Sequence, residues 1–370
     1  MKTDIAIIGG GLGGLYLASL LEQRGLDYQL LEAKPKLGGR ILSEPINQGS
    51  LLNVDLGPTW FWPHQTIMQR LLKDLHVEIY QQYTEGDALY QMDQHASPHR
   101  TAGAGGLTSY RVVGGMSKLI DALVARTNPN KIKVSHVVTE IEKDTDAWAI
   151  SIKNKKEVIK AEHLIIATPP RIATGLKGFS QIIPASLVIE LDSTSTWMAV
   201  QAKFVAVYDS PFWRDEGLAG EVFSRVGPLA EIHDACVNNG ETCVNNGEAS
   251  ADNDKGYALF GFVGLPVKVR KNISEGALKQ LCLKQLAGLF GEKAFKVQKT
   301  YLKDWANDSL VSTQQDIDSI PEHPHLNLLP YQQSLAEIGL SFAGTEYAVS
   351  EAGYLEGALV SAEQTLTFFE

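Results

Sequence analysis

Four residues near the start of the chain have the types and spacing of a dinucleotide-binding site. Gly9, Gly11 and Gly14 form a GxGxxG frame, and Glu32 follows Gly14 by 18 residues. The first glycine of such a frame allows the turn from strand to helix, the second lets the backbone approach a pyrophosphate, and the third lets the helix pack on the sheet. An acid at the position of Glu32 can accept hydrogen bonds from ribose hydroxyls. The frame therefore predicts a bound dinucleotide.

A lysine inside an apolar stretch is the second candidate for chemistry. Lys203 lies in residues 197–214, WMAVQAKFVAVYDSPFWR, whose alternation predicts a long strand. A buried lysine is costly and is rarely kept without a function. The alternative is that Lys203 lies on the solvent-facing side of its strand. We interpret it as buried and functional.

The elements around the glycine frame are those of a βαβ unit. Residues 5–8 predict a buried strand, the apolar pattern after the frame predicts a helix that Gly25 ends, and residues 28–31 predict a second strand. The free N–H groups and the dipole of the helix N-terminus would then hold the pyrophosphate. Residues 161–170, AEHLIIATPP, predict a central parallel strand that ends at two prolines.

Composition and charge exclude several classes of protein. The 370 residues, 44% hydrophobic and 21% charged, suffice for one large or two intertwined domains. The net charge of −10 opposes binding to nucleic acid or to anionic membranes. No run of about 18 apolar residues occurs, and the first strand begins at once, so we expect no membrane anchor, no signal peptide and a cytoplasmic location. Three cysteines without a CxxC pair favour a reducing compartment.

Two further patterns do not predict a metal site. His95 and His99 are four residues apart, but residues 91–109 are polar and predict a loop, whereas a metal site needs further ligands on a stiffer element. The hexapeptide CVNNGE occurs at 236–241 and again at 243–248, in a stretch rich in Asn and Gly. We interpret that stretch as a variable surface loop.

Four segments together resemble the flavin-containing amine oxidases, the family of the monoamine and polyamine oxidases. They are the glycine frame with Glu32, the Gly38-Gly39-Arg40 triplet, Asp55-Leu56-Gly57, and residues 341–359, SFAGTEYAVSEAGYLEGAL. The resemblance runs from residue 4 to near residue 360. It implies FAD as cofactor, an α/β fold (α+β overall) with a Rossmann-like FAD-binding domain on a parallel sheet, and a smaller mixed-sheet substrate domain.

The resemblance also implies which residues contact FAD. The Arg40 guanidinium would lie against the diphosphate, which it can bind through two parallel hydrogen bonds. The helix that begins near Gly353 would stabilise negative charge on the flavin ring. The implied cofactor-binding residues are Gly9, Gly11, Leu12, Gly13, Gly14, Glu32, Ala33, Gly39, Arg40, Gly57, Pro58, Thr59, Trp60, Val138, Thr168, Trp305, Gly344, Glu346, Gly353, Tyr354 and Leu355.

Catalytic and substrate-binding residues follow from the same resemblance. The family has a lysine eight residues before a Pro-Phe-Trp, bonded through a water to flavin N5, and Lys203 has that spacing. Tyr354 matches one tyrosine of the family's aromatic cage, so Lys203 and Tyr354 are the predicted catalytic residues. Gln315 stands at the place of the second cage tyrosine, which leaves Trp60 or Trp62 to supply that wall. If residues 51–63 form a strand, these two tryptophans share one face. The predicted substrate-binding residues are Trp60, Trp62, Gln315 and Tyr354.

Two departures from the family pattern affect the site. Gln314 replaces the cysteine that carries covalent flavin in monoamine oxidases, so we expect FAD to be bound non-covalently. The stretch between Tyr90 and Tyr110 is too short for the family's helical insertion, so we expect a trimmed substrate domain and a more open site.

The resemblance implies a discontinuous FAD-binding domain and an oxidase reaction. Residues 1–63, 108–192 and 328–370 would form the FAD-binding domain, and residues 64–107 and 193–327 the substrate-binding domain. The implied reaction oxidises a primary or secondary amine to an imine with oxygen, giving an aldehyde and hydrogen peroxide. The partners are an amine and oxygen, and a homodimer is compatible with the sequence.

Other functions on the same scaffold stay open. They are a flavin desaturase, an NAD(P)H-using flavin oxidoreductase and a catalytically silent flavoprotein. An amino-acid oxidase is disfavoured, because Pro58, Thr59 and Trp60 stand where an arginine would bind the substrate carboxylate.

Overall fold

The computed structural model describes residues 2–93, 95–102, 107–237 and 256–369. The strands are β1 Lys2–Ile8, β2 Tyr28–Leu31, β3 Ser43–Pro45, β4 Asn53–Asp55, β5 Ile79–Gln81, β6 Asp87–Gln91, β7 His99–Thr101, β8 Tyr110–Val112, β9 Ile132–Lys133, β10 Val138–Lys143, β11 Trp148–Ile152, β12 Ile159–Ile166, β13 Ala202–Tyr208, β14 Leu218–Ser224, β15 Leu229–Asp234, β16 Tyr257–Val263, β17 Lys299–Asp304 and β18 Leu340–Phe342. The helices are α1 Leu12–Gln23, α2 Thr66–Asp74, α3 Ser117–Ala125, α4 Pro170–Thr174, α5 Phe179–Ile182, α6 Ala185–Ser193, α7 Phe212–Asp215, α8 Val267–Arg270, α9 Glu275–Phe290, α10 Gln314–Asp318, α11 Gln332–Glu337 and α12 Leu355–Leu366.

The first sheet has a parallel centre, as the sequence predicts. Its order is β10-β11-β12-β1-β2-β9, and β18 pairs with the carboxyl-terminal half of β12. Strands β12, β1, β2 and β9 run parallel, while β10 and β11 form an antiparallel edge. Ile8 lies opposite both Leu31 and Ile166, and Ile166 lies opposite Phe342. The segments that begin at Gly9, Glu32, Ala167 and Ala343 therefore leave the same edge of the sheet.

The second sheet is mixed and has the order β17-β13-β16-β15-β14-β6-β7. Among the described strands of this sheet, β6 and β14 pair in parallel and the other adjacent strands pair antiparallel. Phe204 and Ala206 of β13 pack with α9, and the alternate residues Val205 and Val207 pack against residues 46–56. Because side chains alternate along a strand, Lys203 projects toward the same side as Val205.

The two sheets confirm the fold class predicted from the sequence, an α/β fold (α+β overall) with a Rossmann-like parallel sheet and a second, mixed sheet.

Three predicted elements differ in extent. The strand predicted over 197–214 is only β13, because the chain turns at Met198 with φ 60° and Pro211 precedes the short helix α7. The strand predicted over 51–63 is only β4. Beyond it the chain folds against itself, so that a Cβ at Gly57 would lie 2.0 Å from the Arg40 carbonyl oxygen. The stretch predicted as a loop at 91–109 contains β7.

Some expectations concern residues that the structure does not describe. Most of the CVNNGE repeat and Cys243 lie outside the described residues.

Within the described ranges, no helix combines the length and the apolar character needed to cross a membrane.

Candidate active site

A cavity of about 440 Å³ extends from the carboxyl edge of the first sheet to β13 and β16 of the second sheet. Most predicted site residues line it. They are Gly9, Gly11, Leu12, Gly13, Glu32, Ala33, Gly39, Arg40, Gly57, Pro58, Thr59, Trp60, Trp62, Val138, Thr168, Lys203, Trp305, Gly344, Gly353, Tyr354 and Leu355. Gly14, Glu346 and Gln315 are not part of the lining.

The glycine frame has the backbone geometry that its spacing predicts. Gly9 has φ 113°, a conformation that side chains rarely adopt, and it connects β1 to the turn before α1. Gly14 lies behind the cavity wall, where a Cβ would be 2.1 Å from the Gly9 carbonyl oxygen, so it permits close packing of α1 on the sheet. A Cβ at Gly11 would meet only the Cα of Gly39, at 3.9 Å. No side chain caps α1 at Gly11, so its first N–H groups are available to an anion.

Glu32 is buried and held by the backbone around it. Its Oε2 accepts a hydrogen bond from the Gly10 N–H at 2.6 Å, and its Oε1 accepts one from the Lys34 N–H at 2.7 Å. Each carboxylate oxygen keeps a lone pair for a further donor. The carboxylate is thus oriented before any ribose hydroxyl reaches it.

Arg40 lines the cavity and is paired with Glu346 behind it. Its two terminal nitrogens donate to the two Glu346 oxygens at 2.6 and 2.8 Å. Glu346 is 1% exposed and also accepts from the Trp197 N–H at 3.2 Å. Glu346 thus reaches the cavity through Arg40, and its predicted contact with the cofactor stays a prediction.

Lys203 is buried, with 2% of its surface exposed, which excludes a place on the solvent-facing side of the sheet. Its Nζ donates to the Gly57 carbonyl oxygen at 3.1 Å and to the Thr59 hydroxyl. It also lies 4.0 Å from the ring centroid of Phe260. Burial lowers the pKa of Lys203 to about 7, although the Asp55 carboxylate opposes that shift.

The other end of the cavity is aromatic. Tyr354 and Trp62 meet edge to face, with ring centroids 5.5 Å apart. Trp60 lies in a separate group with Phe260 and Phe262, and its Nε1 donates to Gln82 Oε1 at 2.8 Å. Both tryptophans line the cavity, but their rings contact different aromatic residues. On a regular strand the two side chains would have lain on one face.

Gln315 is the substrate-binding prediction that the structure does not bring to the cavity. It is exposed on α10, and its Nε2 donates to the Asp192 carbonyl oxygen at 2.9 Å. Sequence reasoning in turn missed several cavity residues, three of them within the stretch 197–214 that contains Lys203. They include Trp197, Met198, Gln201, Phe262, Leu310 and Val311. The sequence offers one indication for Trp197, which is an aromatic residue six positions before Lys203. That position does not distinguish a cavity residue from a core residue.

The cavity fits a dinucleotide with an apolar ring system. The Thr168 hydroxyl is buried, lines the cavity and has no hydrogen-bond partner, so a polar ligand atom would satisfy it. Glu32 accepts a hydrogen bond from the Gly10 N–H beside the glycine frame. Arg40 donates to the Trp197 carbonyl oxygen at 3.0 Å, so it adjoins the aromatic part of the cavity. The described cysteines, Cys236 and Cys282, are buried and do not line the cavity.

Two sequence profiles match the chain. The profile described as flavin containing amine oxidoreductase matches residues 87–365. The profile described as NAD(P)-binding Rossmann-like domain matches residues 7–75, which contain β1, α1 and β2.

Individual relatives agree with the profiles. The chain is 21% identical to putrescine oxidase of Kocuria rosea over an alignment that covers 83% of each chain. It is 21% identical to the probable flavin-containing monoamine oxidase A of Dictyostelium discoideum, over 97% of this chain and 95% of the relative. The structure of cyclohexylamine oxidase from Brevibacterium oxydans matches with a TM-score of 0.78 and 17% identity, over 99% of this chain and 98% of that one. Because the first profile covers most of its length, the chain belongs to the flavin-containing amine oxidoreductases.

Proposed function

We propose that this oxidoreductase converts a primary or secondary amine to an imine and passes the two electrons and two protons to oxygen, which becomes hydrogen peroxide. Water then hydrolyses the imine to an aldehyde and releases ammonia or a smaller amine. The observation that carries the proposal is that a single cavity joins the glycine frame, the buried Lys203 and the aromatic end with Trp62 and Tyr354.

FAD is the cofactor of this family and of this chain. Gln314, in place of the family's cysteine, supports binding without a covalent link. When bound, it supplies the capacity to accept a hydride from carbon. We propose that the glycine frame and Arg40 hold its diphosphate and that Glu32 holds its ribose. We also retain the predicted division into FAD-binding and substrate-binding domains as a proposal.

The aromatic end suits a neutral amine. Among the described residues that line the cavity, Glu32 supplies the one carboxylate, and it lies beside the glycine frame. Aromatic faces attract N–H groups and exclude water, so Trp62 and Tyr354 can hold the amine without a charged partner. An amine that binds in its neutral form needs no general base. Oxygen as acceptor, a cytoplasmic location and a homodimer stay predictions.

Anaerobic mixing tests the proposed function. The purified protein would be mixed with alkylamines, arylalkylamines, amino acids and NADH, and flavin bleaching would be followed by absorbance. We expect amines to bleach the flavin, and we expect peroxide to form when oxygen is admitted. Bleaching by NADH alone would favour an NAD(P)H-using oxidoreductase, and no bleaching by any compound would favour a silent flavoprotein.

Acid precipitation tests the absence of a covalent link. We expect intact FAD in the supernatant, because Gln314 replaces the cysteine that would form the thioether. Yellow colour that stays with the precipitated protein would contradict this expectation.

Replacing Glu32 with alanine should weaken FAD binding by at least about tenfold, since one charge-assisted hydrogen bond contributes about 1.5–3 kcal/mol. The change also leaves the N–H groups of Gly10 and Lys34 without their acceptor. Glu32→Gln keeps an acceptor oxygen and should lose less affinity. Titration of the apoprotein with FAD measures both variants, and unchanged affinity of Glu32→Ala would show that Glu32 does not contact the ribose.

Replacing Tyr354 with alanine should slow flavin reduction by amines by about tenfold or more, with little loss of FAD. The reason is that the side chain faces the aromatic end, while α12 begins at the next residue whatever side chain stands at 354. Tyr354→Phe keeps the ring and should reduce flavin at nearly the normal rate. Stopped-flow absorbance measures the rate of flavin reduction, and the flavin-to-protein ratio measures the FAD content. A parallel loss of FAD and of reduction rate in a folded Tyr354→Ala protein would assign Tyr354 a structural role.

A further inference from the structure

Three aromatic rings form a row at the outer side of the cavity. The His323 ring lies between Trp197 and Tyr354, with centroid distances of 3.6 Å to Trp197 and 5.1 Å to Tyr354. The interplanar angle is 25° to Trp197, so those two rings are stacked, and 35° to Tyr354, so that pair is tilted. We call Trp197, His323 and Tyr354 the partition.

The partition separates two spaces. On its inner side is the cavity, which Trp197 and Tyr354 line. On its outer side is an open groove of about 530 Å³, lined by Tyr354, His323 and residues such as His325 and Val349. Tyr354 thus borders both spaces, and His323 fills the gap between Tyr354 and Trp197.

The partition is closely packed but weakly fixed at His323. A Cβ at Gly353 would lie 3.0 Å from Trp197 Cγ and 3.3 Å from His323 Nδ1, so little free space remains beneath the two rings. The polar contacts of His323 are both long, at 3.4 Å from Nε2 to the Tyr354 hydroxyl and 3.4 Å from Nδ1 to the Ala352 carbonyl oxygen. The imidazole therefore acts mainly through the volume that it occupies.

We propose that His323 is a specificity-determining residue that limits the length of the amine by closing the cavity toward the outer groove. This inference rests on the proposed function. A substrate chain that extends past Tyr354 meets the imidazole, whereas a shorter amine ends before it. Removing the ring would join the cavity to the groove and give a longer chain room beside Val349 and Leu326, in a lining that also includes Asn327 and Glu351.

Truncation of His323 tests the proposal with a homologous series of n-alkylamines. In His323→Ala the ratio of kcat/KM for a long amine, such as decylamine, to that for a short one, such as butylamine, should rise by about tenfold or more, because each added methylene that finds an apolar site changes specificity by about that factor. His323→Phe keeps an aromatic ring at this position without the polar contacts and should keep the wild-type ratio. His325→Ala alters an exposed histidine of the same groove and should also keep it.

The outcomes separate this inference from the proposed function. Dissociation constants of the same amines, measured from shifts in the flavin absorption spectrum, give the long-to-short ratio even if no amine is oxidised. A wild-type protein that oxidises no amine would end the proposed function, while a tenfold rise of the binding ratio in His323→Ala would still support the partition. An unchanged ratio in a His323→Ala protein that retains FAD would overturn it, as would an equal rise in His325→Ala. His323→Ser provides a second truncation if the alanine variant does not retain FAD.

Discussion

Replacing Lys203 with methionine should slow the reaction of the reduced enzyme with oxygen by more than about tenfold, while anaerobic reduction by an amine changes little. Oxygen accepts one electron at the start of this half-reaction, so negative charge develops on it within the cavity. A preorganised cation in a site shielded from water stabilises that charge strongly. Methionine keeps most of the volume of the lysine stem and removes the charge.

The surroundings of Lys203 explain why the ammonium can act in this way. It is fixed by the Gly57 carbonyl oxygen and the Thr59 hydroxyl, and both residues line the cavity. It therefore needs no rearrangement when charge appears nearby. Lys299 offers a matched control, because it lies exposed on the neighbouring edge strand β17 of the same sheet. Lys299→Met should leave both half-reactions unchanged.

The pH dependence of the oxygen reaction provides an independent test. Burial lowers the pKa of Lys203 to about 7 from its ordinary value of 10.5, so the ammonium is present below pH 7 and is lost above it. The oxygen reaction of the wild type should therefore slow as pH rises through about 7, and Lys203→Met should lack this step.

The contribution of Lys203 to the free energy of unfolding changes with pH in the opposite direction. Between pH 7 and 10.5 the unfolded chain binds more protons than the folded chain at this residue, so stability rises with pH in that window.

Stopped-flow absorbance of both half-reactions in the wild type, Lys203→Met and Lys299→Met gives the required rates. Unchanged reoxidation in Lys203→Met would show that the buried ammonium serves the packing of β13 against residues 57–59. It would also favour functions that do not pass electrons to oxygen.

The glycine frame was predictable from the sequence because its geometry is local. The turn between β1 and α1 depends on backbone conformations and close approaches that only glycine permits, as at Gly9 and Gly14. The registers that place Ile8 beside Leu31 and Ile166 follow from parallel pairing, so Glu32 and Thr168 arrive at the same edge. Spacing within a βαβ unit therefore predicts contacts between residues that are distant along the chain.

The aromatic end was not predictable because no regular element links its parts. Trp197 precedes β13 in a turn, and His323 lies in the irregular chain after α10, yet their rings stack. The family resemblance predicts Gln315 at the place of the second cage tyrosine. The intervening chain instead forms a 3₁₀ turn and the capped helix α10, which directs Gln315 toward Asp192. Positions fixed by tertiary contacts of loops carry no periodic signal in the sequence.

The paired variants of Arg40 should separate its structural role from its role toward FAD. Arg40→Met leaves the Glu346 carboxylate buried without its partner, which we expect to lower the free energy of unfolding by about 3 kcal/mol, the lower end of the range for breaking a buried pair. The lower end is appropriate because 25% of the Arg40 side chain is exposed. The double variant Arg40→Met/Glu346→Gln removes both charges and should recover most of that stability.

FAD affinity should not recover in the double variant. If the guanidinium binds the diphosphate through parallel hydrogen bonds, both variants lack it, and affinity should be lower by about tenfold or more in each. Urea unfolding of the apoproteins and titration with FAD give the two quantities. Arg171 serves as a matched control, since it forms a buried pair with Asp316 at 2.6 Å and does not line the cavity. Arg171→Met should therefore lose stability and keep its FAD affinity. A double Arg40 variant that binds FAD as tightly as the wild type would mean that Arg40 only neutralises Glu346.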